Sequence, residues 1–215
     1  MKVPRVYPIL DTAVLAARDF PLTRAAAALI EGGAGILQLR HKQHWSRATF
    51  DDARSIARMC REVGAIFIID DRADIAMLLE AGLHVGQDDL PPRDARRLMG
   101  PDALIGFSSH NVPQVCAAGG EPVDYVAFGP VFATQSKRNP DPVTGIEALK
   151  GCRELVEKPL VAIGGITRET APAVWAAGAD SVAVISDLVP AELTSTSLRQ
   201  RMEEWQRLAT KQKPA

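Results

Sequence analysis

The residues that invite a chemical reading are polar and come in short clusters. The run Leu37-Gln38-Leu39-Arg40-His41-Lys42 alternates apolar and polar side chains. In a strand, alternate side chains share a face. Gln38, Arg40 and Lys42 therefore fall together, and Leu37 and Leu39 face away. Two cations and an amide on one face suit a multiply charged anion such as pyrophosphate; an internal salt-bridge layer would use the same residues. Ile68-Ile69-Asp70-Asp71-Arg72 and His84-Val85-Gly86-Gln87-Asp88-Asp89 each carry paired carboxylates. One or two such groups, completed by phosphates and water, hold Mg2+. Asp70 and Asp71 point in opposite directions if their strand persists, which leaves one of them as a ligand. Both pairs also precede helical patterns and could be caps, above all Asp88-Asp89 before Leu90-Pro91-Pro92.

Further along, Gly106-Phe107-Ser108-Ser109-His110-Asn111 offers a hydroxyl to orient a substrate, a histidine for acid–base work or a polar rim, and Ser109 or Asn111 as a cap. No carboxylate–His–Ser arrangement argues for a nucleophile. The stretch from Gly129 through Thr134, Gln135, Ser136 and Lys137 to Thr144 is long for a compact α/β unit; it reads as a binding loop or lid, or as a plain surface loop. Ala162-Ile163-Gly164-Gly165-Ile166 and Val184-Ile185-Ser186 offer a glycine turn and backbone N–H groups near helix starts, suited to a phosphate, although a tight turn alone also needs glycine. His41 and His44 lack metal-site context and read as surface or rim residues. Trp45, Trp175 and Trp205 are too scattered for a stacking platform.

These clusters share one feature: each follows a short β-rich run. Strands are expected at Val6–Leu10, Gly35–Leu39, Ile66–Ile69, Leu83–Val85, Leu104–Phe107, Tyr125–Phe128, Leu160–Ile163 and Ser181–Val184. Between and after them, apolar residues recur at helical spacing over Leu22–Glu31, Arg47–Val63, Ala73–Glu80, Pro92–Met99, Val112–Ala118, Gly145–Glu157, Arg168–Ala177 and Ala191–Leu208. Strict alternation implies parallel strands, and eight of them close a barrel. The alternative is an open doubly wound sheet, but Asp11-Thr12-Ala13 after the first strand lacks its glycine-rich loop. The expectation is a single-domain (β/α)8 TIM barrel over 1-208 with a polar tail at 209-215. In such barrels the loops after the strands build the active site.

The 215 residues, 47% hydrophobic and 24% charged with a formal net charge of −1, make one ordinary globular domain and give no reason to expect nucleic acid or an anionic membrane as partner. No apolar run is long enough to span a bilayer, the first ten residues lack a signal-peptide core, and three dispersed cysteines suggest no disulfide framework, so a cytoplasmic protein is expected.

Taken in order, Tyr7-Pro8-Ile9-Leu10, Gln38 to Lys42, Ile69 to Arg72, His84 to Pro91, Gly106 to His110, Gly129 to Lys137, Ala162 to Ile166 and Val184 to Ser186 resemble the thiamine-phosphate synthase family over nearly the whole chain. The resemblance implies a transferase that joins a hydroxymethylpyrimidine pyrophosphate to a thiazole phosphate. Pyrophosphate leaves first, and the thiazole nitrogen captures the resulting cation. It implies that Arg40, Lys42, Ser108 and Lys137 hold the pyrophosphate or pyrimidine. Tyr7 and Gln38 would line the pyrimidine site, and Asp71 and Asp89 would bind Mg2+. Thr134, Ser136, Gly165, Ile185 and Ser186 would take the thiazole phosphate. Asp70 stands on the substrate side where the family usually has Asn, and would need Arg72, a metal or a proton to offset its charge. His41 stands for a usual glutamate, Thr-Gln-Ser-Lys for Thr-Pro-Thr-Lys, and the approach to the fourth strand is one residue short.

Two other functions fit parts of the pattern. A related thiazole tautomerase on the same barrel resembles the chain around Ser109-His110. A non-catalytic phosphate-ligand sensor has only Asp70 in its favour. Arg40, Lys42, Asp71, Asp89 and Lys137 favour the synthase, because an isomerase has no leaving pyrophosphate to neutralise. Whether the chain forms a homo-oligomer is left open.

Overall fold

The computed structural model describes residues 2–134 and 141–211. Among them eight strands close a barrel in sequence order: β1 (Val6–Asp11), β2 (Ile36–Arg40), β3 (Ile66–Asp70), β4 (Gly82–Val85), β5 (Ile105–Ser109), β6 (Tyr125–Phe128), β7 (Leu160–Ile163) and β8 (Ser181–Val184). Every neighbouring pair is parallel, β1 with β8 included. The helices are α1 (Thr12–Ala16), α2 (Leu22–Glu31), α3 (Arg47–Val63), α4 (Ala73–Leu79), α5 (Pro92–Met99), α6 (Val112–Gly119), α7 (Gly145–Leu155), α8 (Ala171–Ala176) and α9 (Ser195–Lys211). The fold is the expected (β/α)8 TIM barrel. No helix among the described residues is long and apolar enough to cross a membrane.

Strand alternation sorts the apolar residues into two cores. Tyr7, Ile9, Ile36, Ile68, Tyr125, Ala127, Val161 and Ala183 fill the barrel. Leu10, Leu37, Leu39, Ile69, Leu83, Val126 and Val182 face outward, into the core beneath the helices. Burying a side chain of this size contributes about 1.5–3 kcal/mol, so the alternation fixes which face of each strand turns inward. The last inward positions of the first five strands are Asp11, Arg40, Asp70, His84 and Ser108. Polar side chains thus gather at the C-terminal mouth.

Local signals set several helix ends. Ser46 caps α3 by accepting from Thr49 N (3.1 Å), and Gly64 ends it in a left-handed conformation (φ 71°). Of the two cap candidates after β5, Asn111 caps α6, accepting from Gln114 N. Thr194 and Ser197 cap α9 reciprocally: each side-chain oxygen accepts the other's backbone N–H at 2.9–3.0 Å. Hence α9 starts at Ser195 rather than Ala191, and it runs past Leu208 to Lys211 with Ala209 buried. The helix expected from Arg168 starts instead at Ala171, because Thr167 O accepts from both Thr170 N and Ala171 N in an intervening turn. The short helix α1 and the 3-10 turn at Ser186–Leu188 were not expected; neither is long enough to show an apolar period. The short approach to β4 works because Glu80 ends α4 in a left-handed conformation (φ 53°) and Ala81 leads straight into the strand.

At the opposite, closed end of the barrel one brace occurs twice. Arg96 on α5 donates to the carbonyls of Gly100, Pro101, Ala103 and Pro122. It also pairs at 2.7 Å with Asp124, whose Oδ2 accepts the N–H of Ile105 at the start of β5. Arg153 on α7 donates to the carbonyls of Val156 and Lys158 and pairs at 2.7 Å with Asp180, which accepts the N–H of Leu160 at the start of β7.

Candidate active site

The mouth encloses a cavity of about 960 Å3. Of the residues singled out from the sequence, Gln38, Arg40, Lys42, Asp70, Asp71, Asp89, Ser108, Thr134, Gly165, Ile185 and Ser186 line it. Tyr7 is fully buried one hydrogen bond behind Gln38, whose Nε2 donates to its hydroxyl at 3.0 Å. Ser136 and Lys137 lie outside the described residues.

One side of the cavity is a charged cluster. Arg40 Nη1 lies 2.5 Å from Asp11 Oδ2, and its Nε lies 3.9 Å from Asp70 Oδ2. Lys42 Nζ lies 2.8 Å from Asp70 and pairs with Asp71 as well. β3 does not persist beyond Asp70. Asp71 turns into the left-handed region (φ 62°), its N–H donating to His84 O at 2.8 Å. Both carboxylates therefore reach one ammonium group, where an unbroken strand would have separated them. The capping expectation also fails for both acidic pairs: α4 and α5 have no side-chain cap hydrogen bond, and Asp89 Oδ2 accepts instead from Gly86 N at 2.7 Å.

The cluster is anionic. Asp11, Asp70, Asp71 and Asp89 outnumber Arg40 and Lys42 among the described residues. Burial, then the neighbouring charge of Asp70, raises the Asp71 carboxyl to about 6, with a hydrogen bond to Asp89 acting in the same direction. Burial would lower the Lys42 pKa, but the two aspartates outweigh it and the net shift is upward. No group of three or more His, Cys, Asp or Glu side chains among the described residues is arranged to hold a metal ion. Mg2+ needs less than that, since it keeps water and takes substrate oxygens. Crowded carboxylates, with that of Asp71 raised by burial and its neighbours, are a donor set that a hard divalent cation relieves, so the residues fit the ion.

Across the cavity lies a tight backbone crossing. The parallel ladder continues past β6: Val131 N donates to Ile163 O and Phe132 N to Gly164 O. Gly164 (φ 99°) and Gly165 (φ 63°) are left-handed there. A Cβ on Gly164 would overlap Pro130, and one on Gly165 would overlap Ala133 O. The glycines thus admit the start of the long loop into the mouth. Thr144 N and Oγ1 both reach Pro130 O, at 2.8 and 3.1 Å, so the two described ends of that loop are tied together.

Three site residues escaped the sequence reading. Asp11 is third in the inward series Tyr7, Ile9, Asp11, a series that was readable. His84 and Tyr125 lie in one hydrogen-bonded path between Tyr7 and Ser108; no local motif marks Tyr125, which opens its strand. His110 also lines the cavity, with Nδ1 2.8 Å from Gly129 O. His41, expected at the surface or rim, is buried, pairing with Thr12 Oγ1 at 2.8 Å and holding α1 to the end of β2.

A parallel barrel whose strand ends collect ion-paired cations, carboxylates and a glycine turn around one cavity is an α/β-barrel enzyme of the class that works at its C-terminal mouth. A family model described as Thiamine monophosphate synthase matches residues 6–188. The chain is 46% identical over 192 residues to the thiamine-phosphate synthase of Koribacter versatilis, covering 88% of this chain and 90% of that one. It is 44% identical over 187 residues to that of Laribacter hongkongensis, covering 86% and 88%. Among solved structures, the thiamine phosphate pyrophosphorylase of Pyrococcus furiosus superposes with a TM-score of 0.83 at 30% identity over 96% of each chain. The chain belongs to the thiamine monophosphate synthase family.

Proposed function

We propose that the chain is a thiamine-phosphate synthase: it transfers the pyrimidine methylene of 4-amino-5-hydroxymethyl-2-methylpyrimidine pyrophosphate to the nitrogen of a thiazole phosphate and releases pyrophosphate. The observation that carries this reading is the two-sided cavity. Arg40 and Lys42 stand with the carboxylates of Asp70, Asp71 and Asp89 on one wall; the Gly164-Gly165 turn and Ile185-Ser186 stand on another.

On this reading Arg40, Lys42 and Ser108 hold the leaving pyrophosphate, and Lys137 adds a cation from the loop. Gln38, braced by Tyr7, orients the pyrimidine. Asp70 holds Lys42 in place beside the substrate. Thr134, Ser136, Gly165, Ile185 and Ser186 hold the thiazole phosphate. Asp71 and Asp89 would hold Mg2+, which supplies positive charge to offset the departing pyrophosphate. The bond to pyrophosphate breaks first. The protein then keeps the pyrimidine cation and the thiazole nitrogen close and in line, so catalysis is electrostatic and proximal rather than nucleophilic. Product formation in the cytoplasm from these two small molecules, without nucleic acid or membrane partners, belongs to the same reading.

The test is direct. Purified chain with both substrates and Mg2+ is expected to form thiamine phosphate and pyrophosphate. Isomerisation of the thiazole without coupling would transfer the assignment to a tautomerase working through His110, and binding without turnover would leave a sensor.

A further inference from the structure

A hydrogen-bonded path crosses the barrel just beneath the cavity. Gln38 Nε2 donates to the Tyr7 hydroxyl (3.0 Å), which lies 2.8 Å from the Tyr125 hydroxyl. That hydroxyl lies 3.0 Å from His84 Nδ1, and His84 Nε2 lies 2.8 Å from Ser108 Oγ. Gln38, His84 and Ser108 line the cavity; Tyr7 and Tyr125 are fully buried and beyond reach of a ligand.

With the Gln38 amide nitrogen turned toward Tyr7, the path has one self-consistent direction. The Gln38 amide nitrogen can only donate. Tyr7 accepts from it and passes its own hydrogen to Tyr125. Tyr125 then donates to His84 Nδ1, the ring proton sits on Nε2, and Nε2–H donates to Ser108. In the opposite sense Tyr7 would accept twice and its own hydrogen would have no acceptor along the path among the described residues, where an unmade hydrogen bond is costly. Burial raises the pKa of both phenols, so each keeps its proton.

The backbone is shaped to admit this path. Gly106 on β5 is in register with Tyr125 on β6, and any Cβ at 106 would overlap the tyrosine ring. The ring therefore lies across β5 and stacks on His84, with centroids 5.6 Å apart at an interplanar angle of 21°.

We propose that Tyr125 and His84 are positioning residues for the reaction proposed above. By donating to Ser108 they keep its own hydroxyl hydrogen free to be donated to the anionic substrate. This inference rests on the synthase reading for its consequence but not for its geometry, and two measurements separate them.

In the ligand-free protein, 15N NMR of labelled histidine should show His84 as the Nε2–H tautomer. Tyr125→Phe should remove that preference. A wild-type Nδ1–H tautomer would overturn the proposal whatever the protein's activity. In the coupling assay, Tyr125→Phe should lower kcat/KM about tenfold, the scale of one oriented hydrogen bond. Ser108→Ala with Tyr125→Phe should be no worse than Ser108→Ala alone; multiplying losses would show that Tyr125 acts by some other route. If the wild type proves inactive in coupling, the synthase reading fails, and the same cycle is read as calorimetric binding of pyrophosphate with Mg2+. The wild-type tautomer measurement needs no variant, so it decides the proposal even if Tyr125→Phe does not fold.

Discussion

Asp11 holds two things with one carboxylate. Its Oδ1 accepts the N–H groups of Ala13 and Val14 at the start of α1, and its Oδ2 holds Arg40. Asparagine can preserve the first contact through its oxygen, but its NH2 then faces Arg40 and cannot accept from it, so the second contact is lost. Asp11→Asn should therefore lower coupling kcat/KM about tenfold with little change in Tm, the order expected when a buried charge-assisted hydrogen bond is lost. Asp11→Ala should add a capping loss of about 1 kcal/mol, read in thermal melts; equal Tm values for the two variants would contradict the double role. Asp71 gives a prediction in pH. Its carboxyl titrates near the ordinary 3.8 when unfolded and near 6 when folded. Between those values the folded chain binds more protons, so Asp71 costs stability as pH rises through the window, fully above 6 and not at all below 3.8. In chelator, Asp71→Asn should raise Tm more at pH 8 than at pH 4, since Asn also tolerates a positive φ. A gain independent of pH would exclude the charge effect. At this scale the sequence was legible where alternation held. Gln38 and Arg40 face inward as the strand period requires, whereas Asp70 and Asp71 converge only because a left-handed residue ends the strand, and no periodicity reveals that.

Among the elements, the junction of β7 with the loop after β6 is the least forgiving. Gly164 and Gly165 are left-handed and each lies against the backbone or ring of residues 130–133. Gly165→Ala would impose both a strained φ and a collision, costing at least about 1–2 kcal/mol. It should raise KM for the thiazole phosphate about tenfold while KM for the pyrimidine pyrophosphate stays within twofold, read by varying each substrate in turn. Equal effects on both would mean that the two walls of the cavity are not independent. Strands were legible to within two residues at either end because each carries a buried run. Short elements were not: α1, the 3-10 turn at Ser186–Leu188 and the delayed start of α8 depend on one or two hydrogen bonds rather than on a repeating apolar face.

On the scale of the whole molecule, the two ends of the barrel have different duties. Arg96 and Arg153 brace the closed end far from the cavity, and alternation plus strand count made the barrel itself readable; the braces, which join residues 28 or 27 apart, were not. Arg96→Ala, removing a half-buried network of carbonyl contacts, should lower unfolding free energy by about 2 kcal/mol in denaturant titration and leave both KM values unchanged. A shifted KM would mean that the ends are mechanically coupled. The braces have another consequence. Each carboxylate grips a strand's first amide, so the N–H protons of Ile105 and Leu160 are sealed by side chains rather than by the ladder alone. They should exchange with deuterium only when the closed end opens, and Arg96→Ala should release the Ile105 proton while sparing that of Leu160. Two amides thereby become built-in gauges of local opening, one for each quarter of the β5–β8 half.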